Sequence, residues 1–60
     1  MDAIKTAQYA RALYTAHGDK AEWEAAQKMR ASKEAGKTGE AADWKAVRQA
    51  IRSLRGANQG

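Results

Sequence analysis

The spacing of apolar residues in the last third of the chain predicts an amphipathic helix. Four large apolar side chains recur at intervals of three, four and three residues, and this apolar stripe consists of Trp44, Val47, Ile51 and Leu54. Residues at these intervals share one face of an α-helix. Four cations repeat at the same intervals on what we expect to be the opposite side, and this basic stripe consists of Lys45, Arg48, Arg52 and Arg55. The pattern therefore predicts a helix with one face toward a core and four positive charges on the other.

Two further helical patterns precede this one. A first helix is predicted over residues 2–17, and Gly18 is suited to end it because glycine readily adopts the left-handed conformation. A second helix over 19–35 begins with Asp19 and Glu22, whose spacing resembles a capping box, and ends at Gly36. The connection to a third helix over 40–55 is short, so the second and third helices should be antiparallel neighbours. We expect an all-α fold, a small three-helix bundle.

The composition supports helices and limits the size of the core. The chain has no proline, and the alanine and long charged side chains that dominate it favour helix. We expect a single three-helix domain over residues 1–56 and a disordered tail over 57–60. Sixty residues with few large apolar side chains make a thin core. Two outcomes follow: a marginally stable monomer, or a chain that buries further surface against a partner or a second copy.

The sequence also bears on the compartment. The absence of cysteine excludes a disulfide framework and thiolate chemistry. The N-terminal residues lack the pattern of a secretory signal, and no stretch approaches the roughly 20 apolar residues of a membrane span. We therefore expect a soluble, cytoplasmic protein with no membrane partner.

No catalytic or cofactor-binding set can be recognised. Residues 31–38 match a loose P-loop pattern, but they are predicted to be a helix and its end, where the chemistry requires a strand, a glycine-rich loop and a helix. His17 is the only histidine, and too few further ligands accompany it for a metal site. No nucleophile is found with a base and an orienting group. We expect no enzyme activity, no metal, no cofactor and no small-molecule substrate.

The net charge of +4 lies entirely in the basic stripe, because seven basic and seven acidic residues balance as far as Asp43. The stripe has three possible interpretations: a solvated outer face, a contact for an acidic protein, or a contact for nucleic-acid phosphates. The turn before the third helix resembles that of a helix-turn-helix, but the stripe lacks Asn, Ser or Thr to contact base edges. Trp44 is expected in the core, whereas Trp23, on the flank of its helix, is a candidate partner anchor.

Four short segments lie at or near predicted helix ends: AHGDKAE at 16–22, EAG at 34–36, DW at 43–44 and IRSLRG at 51–56. In these segments the chain resembles short uncharacterised α-helical proteins of alphaproteobacteria. The resemblance extends over most of the chain and implies a helical fold, but it implies no activity, because none is attached to those proteins.

The leading hypothesis is a small non-enzymatic helical protein that acts as a protein-interaction module or accessory subunit, with a protein partner or as a homo-oligomer. The alternative is a nucleic-acid-binding regulator that uses the basic face of the third helix. The candidate contact residues for either function are Lys45, Arg48, Arg52, Arg55 and Trp23.

Overall fold

Three α-helices joined by two tight turns make up the fold of residues 2–58, the part of the chain that the computed structural model describes. Helix α1 spans Ala3–His17, α2 spans Lys20–Glu34 and α3 spans Thr38–Asn58. Helix α3 packs most extensively against α2 and less extensively against α1. The predicted all-α three-helix bundle is confirmed.

Local hydrogen bonds set both ends of α1. The Asp2 side chain accepts a hydrogen bond from the Lys5 amide at 2.8 Å, which satisfies one of the free donors of the first turn. Gly18 has a φ of +61° and donates its N–H to the Tyr14 carbonyl at 2.8 Å. Helix α1 therefore ends at the glycine predicted to end it.

A Schellman motif ends α2 at Gly36, whose φ is +78°. The Gly36 amide donates to the Lys33 carbonyl at 3.1 Å, and the Lys37 amide donates to the Ser32 carbonyl at 2.8 Å. These are the two hydrogen bonds that define the motif. The chain then enters α3 after a single residue outside the turn, and α3 runs back along α2.

Helix α3 is longer than predicted at both ends. It begins at Thr38, two residues before the predicted start, with the Ala41 amide bonded to the Lys37 carbonyl at 3.0 Å. It continues past Gly56 to Asn58, because among the described glycines only Gly18 and Gly36 adopt the positive φ that ends a helix. The first two residues of the predicted tail are thus helical, and residues 59 and 60 lie outside the described part of the chain.

Alanines from α1 and α2 meet two β-branched side chains from α3 at the centre of the bundle. The fully buried apolar residues are Ala10, Ala21, Ala25, Val47 and Ile51. The partly buried apolar side chains that pack around them are Leu13, Tyr14, Trp44, Ala50 and Leu54. All four members of the apolar stripe therefore face the core or its edge. Small alanines opposite Val47 and Ile51 let the helices approach closely, so that two larger side chains fill the space between them.

Replacement of Ile51 by alanine should remove most of the stability of the domain. A buried Ile→Ala change costs about 2–5 kcal/mol, whereas a core of this size supplies roughly 3–5 kcal/mol in total. Urea denaturation followed by far-UV circular dichroism measures the difference. Ile4→Ala is the matched control, because Ile4 is 72% exposed, and it should change the free energy of unfolding by less than about 0.5 kcal/mol. Equal losses in the two variants would contradict this description of the core.

Candidate interaction surfaces

One glutamate of α2, Glu22, contacts all three arginines of the basic stripe. The Glu22 side chain is 17% exposed, and its Oε1 accepts a hydrogen bond from Arg55 Nη1 at 2.6 Å. Its Oε2 lies 3.5 Å from Arg52 Nε and 3.8 Å from Arg48 Nε. Asp19 adds a contact of 3.6 Å between its Oδ1 and Arg55 Nε. We call these five residues the Glu22 cluster.

The basic stripe does not lie opposite the apolar stripe, as the sequence analysis expected. At 3.6 residues per turn the centres of the two stripes are only roughly a quarter of a turn apart on α3. When the apolar stripe faces the core, the arginines therefore extend along the side of α2. The C-terminal end of α3 lies beside the N-terminal end of α2, as the contact between Arg55 and Glu22 shows. Much of the stripe is thus paired within the chain.

Glu22 also does not serve in the capping box predicted for α2. Asp19 is at the N-cap position, but it has helical φ and ψ of −62° and −24° and its side chain makes no capping hydrogen bond. Both carboxylates point to arginines of α3 instead. An ion pair between helices competes here with a local cap. The ion pair forms instead of the cap, and it gives Arg55, whose side chain is only 35% exposed, a charged hydrogen-bond acceptor.

Lys45 stands apart from the other three members of the basic stripe. It is exposed and makes no ion pair within residues 2–58. Among the three arginines of the basic stripe Arg52 is the most exposed at 67%, whereas Arg48 and Arg55 are 37% and 35% exposed. The structure therefore brings together three of the four predicted cations.

Trp23 lies beside the Glu22 cluster with 62% of its surface exposed. A shallow depression of about 310 Å³ is lined by Asp19, Glu22, Trp23, Ala26, Arg48 and Arg55. In the sequence Trp23 and the arginines belong to different helices, whereas the fold places them on one surface, which we call the Trp23 surface. Their proximity follows from antiparallel packing of α3 on α2, because Trp23 directly follows Glu22 in the chain.

An apolar groove between α1 and α3 was not predicted. It has a volume of about 700 Å³, and its lining comes from Ala3, Ile4, Ala7, Gln8 and Arg11 of α1 and from Ala50, Ser53 and Leu54 of α3. Ala3 and Ala7 of α1 are both exposed. Side chains this small cannot fill the space beside α3, so the N-terminal half of α1 leaves the groove open. The sequence signal was Ile4, a large apolar residue near the start of the first predicted helix.

The remaining candidate motifs have local roles. Gly36 and Lys37 lie within the P-loop-like segment. Their amides donate hydrogen bonds to α2 carbonyls and so do not form a phosphate cradle. His17 Nδ1 lies 2.7 Å from Glu24 Oε1. Within residues 2–58 no group of three or more His, Cys, Asp or Glu side chains is placed to hold a metal ion. None of the three described helices is both long enough and apolar enough to traverse a lipid bilayer.

Comparison of the chain with protein-family models, with curated proteins and with solved structures finds no match. The resemblance to short helical proteins of alphaproteobacteria therefore stays a prediction. Functional inference depends on the two surfaces described above.

Replacement of Glu22 by glutamine should lower the free energy of unfolding by about 1–3 kcal/mol. The substitution keeps the shape of the side chain but leaves only the exposed Asp19 carboxylate beside three arginines, and Arg55 loses a hydrogen bond to a charged acceptor. Urea denaturation at low and high salt measures the effect, which should shrink at high salt as the repulsion between arginines is screened.

Glu34→Gln is the matched control, because Glu34 is exposed and makes no ion pair within the described residues. It should change stability by less than about 0.5 kcal/mol. A double-mutant cycle should further show stronger coupling of Glu22 to Arg55, at 2.6 Å, than to Arg52, at 3.5 Å. Equal coupling to both arginines, or equal effects of the two glutamate variants, would show that the Glu22 cluster is not formed as described.

Proposed function

We propose that this chain is a small non-enzymatic helical protein that acts in the cytoplasm as a protein-interaction module or accessory subunit. The observation that carries the proposal is the apolar groove with Ile4 at its edge, 72% exposed. Among the described residues only two large side chains, Val47 and Ile51, are fully buried, so the domain gains stability from any partner that covers further apolar surface.

The form of the groove favours an α-helix of a partner protein as the occupant. It runs between two helices, and alanines at Ala3, Ala7 and Ala50 allow another backbone to approach closely. Ile4 and Leu54 offer larger apolar surfaces on the two sides. An amphipathic helix that presents apolar residues at intervals of three and four fits such a groove.

Charge favours a different protein over a second copy of this chain. Arg11 is the charged residue of the groove lining, and no acidic residue is found among the described lining residues. A partner helix with an acidic residue beside its apolar face would complement Arg11. A second copy would bring the same arginine and a further net charge of +4 to the contact.

Ile4→Glu should abolish capture of the partner. Three forms of the chain serve as baits in affinity capture from the source cell: the unaltered chain, Ile4→Glu, and Trp23→Ala, which alters an exposed residue of the other surface. A protein captured through the groove should be reduced at least tenfold with the Ile4→Glu bait, as for loss of an interface hot spot, and retained with the Trp23→Ala bait. A glutamate in the first turn of α1 suits the helix dipole, so the variant should fold.

Sedimentation equilibrium of the purified chain distinguishes the two possible occupants. Reversible self-association that is lost in Ile4→Glu would show that the groove takes a second copy. A well-folded monomer that captures no protein, or that captures the same proteins with and without Ile4→Glu, contradicts the proposal.

A further inference from the structure

The Trp23 surface carries an aromatic ring and charged side chains that a partner helix in the apolar groove would not contact. Trp23 is 62% exposed, and its indole makes no contact with another aromatic ring within residues 2–58. By contrast, Trp44 is half-buried and packs edge-on against Tyr9, with ring centroids 5.6 Å apart. The indole of Trp23 is therefore free to pack against a planar group from outside the chain.

Cations lie on both sides of this indole. On α2, Lys20 precedes Trp23 by three residues and Arg30 follows it by seven, so both share its helical face. Both are exposed and make no ion pair within the described residues. Arg48 and Arg55 of α3 line the shallow depression together with Trp23.

Cations outnumber carboxylates on the Trp23 surface. The cations on or beside the Trp23 surface are Lys20, Arg30, Arg48, Arg52 and Arg55, and the carboxylates among them are Asp19 and Glu22. Five cations and two carboxylates therefore lie on or beside a surface with one exposed tryptophan.

The Glu22 cluster also holds part of this surface in place. Glu22 contacts Arg55 at 2.6 Å and Arg48 at 3.8 Å, so these side chains lose less conformational freedom when they meet an anion. Arg52 is 67% exposed and lies 3.5 Å from Glu22, so it can turn toward a ligand while the shorter contact to Arg55 is kept. The surface is partly pre-organised for a polyanion.

We propose that the Trp23 surface binds single-stranded nucleic acid, with one base stacked on the Trp23 indole and neighbouring phosphates paired with Lys20, Arg30 and the arginines of the Glu22 cluster. An exposed aromatic ring among cations is the arrangement by which proteins bind single strands without sequence preference. A duplex keeps its base faces stacked internally and cannot use the indole in this way. A stretch of acidic residues offers charge but no planar group for the ring. This activity goes beyond the proposed protein interaction and uses a separate surface.

The test is a titration of a fluorescein-labelled oligothymidylate of about eight nucleotides, a length within the range that single-strand-binding domains cover. Fluorescence anisotropy measures the affinity. If about four phosphates are contacted, affinity should fall roughly 50-fold between about 50 and 200 mM salt. Trp23→Ala should weaken binding at least about fivefold with little change in the salt dependence, and Trp23→Phe should restore part of the loss because it keeps a stacking face. Arg30→Ala should reduce the salt slope by about 0.7.

Arg11→Ala is the matched control, because it removes the same charge from the lining of the apolar groove. It should leave the salt slope close to that of the unaltered chain. Far-UV circular dichroism of each variant should be unchanged, since the altered side chains are exposed. The inference would be overturned by no binding at low salt, by full affinity in Trp23→Ala, by equal loss in Arg11→Ala and Arg30→Ala, or by equal affinity for a duplex of the same length. Polyglutamate that competes as well as the unlabelled oligonucleotide would overturn it in favour of an acidic protein ligand.

Discussion

Close packing of α3 on alanines of α1 and α2 is the constraint on which the rest of the structure depends. Val47 and Ile51 enter a space left by Ala10, Ala21 and Ala25, and this contact sets the rotation of α3 about its own axis. That rotation in turn decides where every other residue of α3 points. The arginines lie along α2 because they are about a quarter of a turn from the side chains that are buried.

The same constraint accounts for the open surfaces. The apolar side chains of α3 are directed to the centre of the bundle, and the small side chains of Ala3 and Ala7 on α1 do not fill the space beside them, so the apolar groove stays uncovered. On the other side, Trp23 lies at the boundary between α2 and α3, next to Glu22 and its arginines. A thin core thus leaves an apolar groove and a cationic aromatic surface on the same small domain.

Much of the fold could be predicted from the sequence, because helix periodicity, Gly18 and Gly36 are local signals. The apolar stripe of α3 and the positions of both turns are confirmed. The pairing of Glu22 with Arg55 could not be predicted, since it depends on the register between two helices, and the local spacing of Asp19 and Glu22 favoured a capping box. The extension of α3 through Gly56 was missed because glycine ends a helix only where the chain adopts a positive φ. The groove was missed because exposed and inner alanines look alike in a sequence.

The pairing of Glu22 with the arginines also bears on which anions the surface can select. The carboxylate of Glu22 acts as a built-in ligand: it is tethered beside the guanidinium groups, so its effective concentration there exceeds that of a small anion in solution. A single chloride or acetate ion competes poorly with it. A polymer that engages several cations and the Trp23 ring at once gains by multivalency and need not displace Glu22 from Arg55. Anions of low valency therefore do not displace Glu22 from Arg48, Arg52 and Arg55, whereas a polyanion can bind beside it.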